Sequence, residues 1–428
     1  MKTFAFKLLA LGIIFSTTIA ACSPTISLNI VESKLSRETN PSIAAGDLAN
    51  LVDGNNTFAV DIYNALHTEN GNLILSPYSI SLALAMAYAG ARGETESQMA
   101  QVLHFPLEAQ SQLHSSFNSL DLTLEKKPIN LDKTQEPMQL NIANAIWSEQ
   151  TLPFQQDFLD VIARNYGAGV HLADFITQAE PTRKEINNWV SGKTNNKIND
   201  LLPQGSVGPD TRLILVNAIY FKADWLYPFD ANSTSDEAFH LLDATDVSTK
   251  FMHEGLQVPY MKGDGYQAVE LAYVGNTAAM DILVPDSGNF EAFESAFNKN
   301  ILSTTINSLE PTSIALSLPK FEFTKDIGLS DVLISLGMSD AFDPDKADFS
   351  SMIGKKDLYI SNVIHKAFVA VDEKGTEAAA ATAVIMETAS AIMHEVNLQI
   401  DRPFIFVIRD TVNGQILFIG RVMNPVTN

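Results

Sequence analysis

The stretch EKGTEAAAATAVIMETAS occupies residues 373–390. It follows the apolar run KAFVAVD (366–372) and precedes RPFIFVI (402–408), both patterned as buried strands. Four consecutive alanines favour a helix on propensity alone, but no apolar stripe gives such a helix a face to pack. About 25 residues between two core strands also exceeds the roughly 12–15 that a connection takes without a functional reason. Period two describes the stretch better. Thr376, Ala378, Ala380, Thr382, Val384 and Met386 share one uncharged side, and Glu377, Ala379, Ala381, Ala383, Ile385 and Glu387 share the other. A segment that serves as an exposed loop or as an inserted strand is a two-state device; the competing reading is a disordered alanine-rich lid.

Working outward, 428 residues with 46% apolar and 18% charged composition suffice for a large core. Residues 1–21 read as a processing segment: Lys2 and Lys7, then LLALGIIF, too short to span a bilayer as a stable helix, then small residues. IAAC at 19–22 resembles a bacterial lipobox, which implies that Cys22, the chain's only cysteine, is lipidated and becomes the N-terminus. No disulfide can then form within the chain. Residues 22–49 are polar and aperiodic and read as a flexible tether, and residues 50–428 as one domain. Without Lys2 and Lys7 the balance is 26 basic against 50 acidic residues, about −24, which opposes approach to nucleic acid and to anionic lipid.

The domain opens helix-rich. SPYSISLALAMAYAGARG (76–93) reads as a buried helix with Ser76 as N-cap and Pro77 at the first helical position. Strands are expected at 139–148, 212–225, 278–285, 313–324 and 357–373, and helices near 154–164, 181–190 and 329–336. The C-terminus reads as a hairpin turning at Asn413-Gly414. The pattern is that of a single α+β domain.

Enzyme signatures fail in turn. SGKTNN (191–196) has Asn187 where a phosphate-binding loop needs its first glycine. GDGYQA (263–268) runs into strand-like alternation where a dinucleotide fold needs a helix. His253 and His394 each precede a Glu, but no second histidine follows four residues on, and GSVG (205–208) is no nucleophile elbow. His365 alone stands out, a polar ring inside NVIHKAF that needs a hydrogen-bonding partner and has no nucleophile beside it in sequence.

From about residue 56 to 425 the chain resembles the serpin family. The carriers are EKGTEAAAATA, LQIDRPFIFVI (398–408), LILSPYSISLALAMAYAGARGET, LVNAIYFKADW, LPKF and VIHKAFVAVDEKGTEA, long motifs in order along the chain. The resemblance implies a serpin fold of about nine helices and three β-sheets with an exposed reactive-centre loop. It implies a suicide-substrate inhibitor of serine or cysteine proteases, in covalent complex with its target, with no catalytic activity, cofactor, metal or nucleic acid, acting as a monomer. Loop insertion in this family is itself a standing example of strand addition. Carried over, Ser76, Ser79, Asn217 and His365 resemble the polar cluster where the large sheet parts, and Trp225 the tryptophan where insertion starts. Glu373, Gly375, Thr376, Glu377, Ala378, Ala379, Ala380, Ala381 and Thr382 resemble the hinge. Counting seventeen residues from Glu373 puts the reactive bond at Ala389-Ser390; a count back from Pro403 gives Ile392-Met393 instead. Small Ala389 implies elastase-like or subtilisin-like targets, and no Arg or Lys lies between Lys374 and Arg402. The alternative within the family is a non-inhibitory carrier or chaperone, whose hinges carry bulky, charged or proline residues. With the lipobox, the expected location is extracytoplasmic, lipid-anchored to a bacterial membrane, or secreted if Cys22 is not lipidated.

Overall fold

The two apolar runs that flank the opening stretch belong to different sheets. Asn362–Val371 is a strand of a seven-stranded sheet and Phe404–Asp410 a strand of a nine-stranded one. The long connection between them therefore leads from one sheet to the other. The computed structural model describes residues 29–68, 70–105, 109–125, 138–376 and 394–427. Cys22, Ala389, Ser390 and hinge residues 377–382 lie outside the described residues.

The large sheet runs in the order Asn29–Val31, Val170–Ala173, Gln139–Glu149, Leu213–Asp224, Gly375–Thr376, Asn362–Val371, Phe321–Gly328. Its long central strands are apolar on both faces, as strands covered on both sides must be. The helix Pro77–Tyr88 is buried along its whole length and packs on strands of both sheets. Its start is fixed as expected: Pro77 needs no N–H partner, and the Ser76 side chain accepts the Ser79 N–H. The chain leaves this helix through Gly90, where a Cβ would sit 2.1 Å from the Met352 side chain.

Ten α-helices occur among the described residues, against the nine expected, and the three expected sheets appear as two. One 17-residue strand, Asp246–Lys262, causes the merger by changing partners along its length. Residues 246–251 pair with Ser235–His240, 251–260 with Glu310–Pro319, and 260–262 with Tyr266–Ala272. What would be two sheets is therefore one hydrogen-bonded network. The expected strand at 313–324 is likewise two strands, Glu310–Pro319 and Phe321–Gly328, in different sheets, with Lys320 at the crossing.

Within the expected tether, residues 29–38 are docked on the domain. Asn29–Val31 adds an antiparallel edge strand to Val170–Ala173. Ser33 Oγ donates to Asp160 at 2.5 Å, and Glu38 N–H to Arg164 O at 2.8 Å. Arg37 reaches Asn118 at 2.8 Å, Asp121 at 2.5 Å and Glu125 at 3.1 Å, and the first helix already begins at Asp47. Three strand residues followed by charged and backbone contacts leave no apolar period, so the segment looks like linker in sequence.

Candidate functional site

The site is the gap into which the opening stretch leads. Leu213–Asp224 and Asn362–Val371 run parallel and pair from Ile214–Asn362 up to Tyr220–Phe368. Above Phe368 they part, and Gly375–Thr376 lies between them. Thr376 stands opposite Ala223 on one flank and Val371 on the other, and Gly375 opposite Asp224. The chain reverses over Asp372, whose N–H donates to Gly375 O at 3.0 Å and whose carboxylate accepts the Lys374 N–H at 2.9 Å. Glycine is obligatory at 375, where a Cβ would meet Ala223 O at 2.1 Å and the Asp224 Cα at 2.7 Å.

Four side chains fix this entry. Trp225 stacks on Tyr273 at 4.6 Å, nearly parallel, and its indole N–H donates to Asp372 O at 3.0 Å. Its backbone N–H donates to Lys374 O at 2.6 Å. The Tyr273 hydroxyl, raised far above its usual pKa by burial, meets Thr376 Oγ1 at 2.7 Å, and Thr376 is 1% exposed. Glu373 is held by Lys320 Nζ at 2.7 Å and Thr234 Oγ1 at 2.8 Å. Burial alone would raise its carboxyl; those partners bring it below the usual carboxylate value.

Lower in the same ladder the structure brings together Ser76, Ser79, Asn217 and His365. His365 and Asn217 are register partners across the two parallel strands. Ser76 N–H donates to His365 Nε2 at 3.1 Å, and His365 Nδ1 lies against Asn217 Oδ1, so one neutral tautomer satisfies both contacts. Asn217 Nδ2 donates to Ser79 O at 2.7 Å and to Asn144 Oδ1, while Asn144 Nδ2 donates to Ser79 O at 3.0 Å. Burial holds the His365 ring neutral, with its pKa lowered to about 3. This is a buried polar bolt at the centre of the sheet, whose serine hydroxyls are fully buried and hydrogen-bonded, so the arrangement can hold or release strands.

Sequence reasoning missed Asn144, Tyr273, Thr234 and Lys320. Lys320 sits in the quoted LPKF motif and Asn144 at a polar step of the alternating run QLNIANAIWS, so both left a trace. Tyr273 and Thr234 reach the hinge only through tertiary folding.

The chain was compared with known proteins. A family profile described as Serpin (serine protease inhibitor) matches residues 53–425. A leukocyte elastase inhibitor of Xenopus tropicalis is 38% identical over 387 residues, covering 88% of this chain and all of that one. Among solved structures, the thermophilic serpin tengpin in its native state is similar with a TM-score of 0.79 at 30% identity, over 92% of this chain and 97% of that one. Human thyroxine-binding globulin in complex with thyroxine also gives 0.79 at 30% identity, over 89% of this chain and all of the other.

Proposed function

The chain belongs to the serpin family of serine protease inhibitors, and from that premise we propose that it is a single-use trap for elastase-like or subtilisin-like proteases. The protease's serine oxygen attacks the Ala389 carbonyl carbon, the Ala389-Ser390 bond breaks, and Ser390 leaves as a protonated amine. The loop, now attached to the protease as an ester, continues the strand that Gly375–Thr376 begins. The observation that supports this reading is the hinge itself, already hydrogen-bonded on both flanks at the top of the gap.

Energetics agree. Seven residue pairs close the ladder below the hinge, and opening them loses on the order of 7 kcal/mol at about 1 kcal/mol net per bond. A new strand restores hydrogen bonds on both flanks instead of one, leaving a surplus on the order of 10 kcal/mol with its buried face included. That is ample to distort an active site that depends on sub-ångström positioning. A second reading, a carrier, draws on the similarity to thyroxine-binding globulin. The small residues TEAAAATA favour the trap.

The test is to mix the protein with an elastase-type protease. An SDS-resistant complex and a released peptide beginning at Ser390 are expected; cleavage with no complex would favour the carrier. Ala389→Arg should move inhibition toward trypsin-like enzymes, because this residue fills the primary pocket. If a change at Ile392 moves the preference and Ala389→Arg does not, the hinge count is wrong.

The same reading extends to location. The protein is an extracytoplasmic monomer lipidated at Cys22 after removal of residues 1–21. Cys22→Ser should accumulate as an unprocessed or soluble form; variant protein of mature size still fractionating with membranes would refute lipidation.

A further inference from the structure

The docked N-terminal segment borders a groove that takes no part in the hinge. Glu38, Pro41 and Ser42 line it together with the helices Gln110–Leu124 and Gln156–Tyr166 and with Ser350 and Ser351. Its volume is about 840 Å³, and it shares no residue with the hinge or the buried polar cluster. Clefts of about 300–1,000 Å³ ordinarily hold small molecules and are lined mainly by apolar side chains. Here the lining is mainly polar. Helical spacing explains how it arises. Ser111 and Ser115 are four apart on one helix, as are Asp157 and Val161 on the other, with Arg164 three further on, so each helix turns a single face to the groove.

Several of these polar groups have bonding capacity to spare. The hydroxyls of Ser111, Ser115 and Ser351 make no hydrogen bond to another described residue. Arg92, also in the lining, donates through Nη1 to Ala89 O at 3.3 Å and Gln110 Oε1 at 3.2 Å, and its Nε and Nη2 have no partner among the described residues. His114 lines the groove and is 2% exposed. Its Nδ1 meets the Tyr166 hydroxyl at 2.6 Å, and its Nε2 is buried with no partner among the described residues. Burial, with Arg92 close by, lowers the His114 pKa to about 3, so the ring is neutral. Nε2 is then a donor in one tautomer and an acceptor in the other. A buried nitrogen left unpaired destabilises the empty groove, and a ligand atom that reaches it removes the penalty.

Charge selects among ligands. Glu38, Asp157 and Asp160 line the groove beside Arg92 and Arg164, so an anion meets three carboxylates and a cation two guanidinium groups. A neutral ligand rich in hydroxyls meets no such opposition. Each hydroxyl donates to a carboxylate or accepts from a guanidinium, and it fits either tautomer of His114. Phe158 and Val161 supply an apolar patch for the C–H face of a sugar ring. We propose that this groove binds a neutral sugar of disaccharide size, whose hydroxyls are held by Asp157, Arg92 and Ser115. The site is independent of the inhibitor reading.

Maltose, cellobiose and diacetylchitobiose, titrated calorimetrically into the full chain, are the probes. At least one should bind one-to-one with a Kd of about 1 mM or below. Asp157→Ala, at an exposed position, removes a charged acceptor and should weaken that probe about tenfold or more. Ser115→Trp, on the helix face turned to the groove, should abolish binding by occupying it. Failure of all three disaccharides to saturate below about 10 mM overturns the proposal, as does wild-type affinity in either variant. So does saturable binding of inorganic phosphate or glycine in their place, which would make the groove an anion or amino-acid site.

Discussion

Thr376→Arg protein is expected to be cut at the same peptide bond as wild type and to form little or no covalent complex. Thr376 is 1% exposed, flanked by both strands, and hydrogen-bonded to Tyr273. A guanidinium there replaces a small hydroxyl side chain packed at the Trp225–Tyr273 stack, and burying it unpaired costs several kcal/mol. At about 1.4 kcal/mol per factor of ten, insertion slows by roughly 100-fold or more. The cost falls on the step that must outrun hydrolysis of the acyl bond. Strand periodicity would put Glu377 on the other face once the loop is inserted, so Glu377→Arg should keep most of the inhibition. Gel analysis of complex against cleaved inhibitor measures both. Equal yields from wild type and Thr376→Arg would remove insertion from the account, and equal losses from both variants would remove the facing assignment.

Asn217→Ala should lower stability by about 2–3 kcal/mol, because it leaves one fully buried group, His365 Nδ1, without a partner and thins the bonding around it. His365 Nδ1 loses its partner, while Ser79 O keeps the Asn144 amide and Asn144 Oδ1 keeps the Ser79 hydroxyl. Those groups lie inside the ladder that opens for the loop, so the variant should also lose inhibitory capacity on storage without being cleaved. Denaturant unfolding and titration against protease read the two effects; an unchanged midpoint would show that the cluster does not hold the sheet.

Protonation attacks the same bolt. The folded-state pKa of His365, about 3, lies below its ordinary 6.5, so the unfolded chain takes up the proton first as pH falls. Stability contributed by keeping His365 neutral is complete above about 6.5 and is lost downward through that window, at up to ~1.4 kcal/mol per pH unit. His114, also lowered to about 3 by burial, acts in the same direction, whereas Asp281, raised by burial, opposes them. The slope specific to His365 is the part that disappears in His365→Gln.

Much of this was readable because the signals are local. Ser76-Pro77 caps a helix in any context, and Asn413-Gly414 lies in the turn joining Phe404–Asp410 to Ile416–Val422. His365 announced its need for a partner by being polar within an apolar strand. The rest was hidden where the compensating partner is remote. Asp246–Lys262 contains Pro259 and several charges, and its strand character rests on neighbours such as Ser235–His240, whose Asp236 pairs with Lys250 at 2.7 Å. Residues 29–38 look like linker because their anchors, Asn118, Asp121, Asp160 and Arg164, lie on helices 81 to 127 positions away. Lys320 and Thr234 bind Glu373 only after two sheets have formed around it.

The central claim is that the loop after Thr376 completes the sheet once it is cut. It is tested most directly by the denaturant unfolding of the protein before and after a single cleavage within residues 377–393. The account predicts that the cut protein stays one folded unit and gains stability on the order of 10 kcal/mol, with a higher midpoint, because a central strand with two hydrogen-bonded flanks has been added. A cut protein with an equal or lower midpoint than the intact one would contradict it.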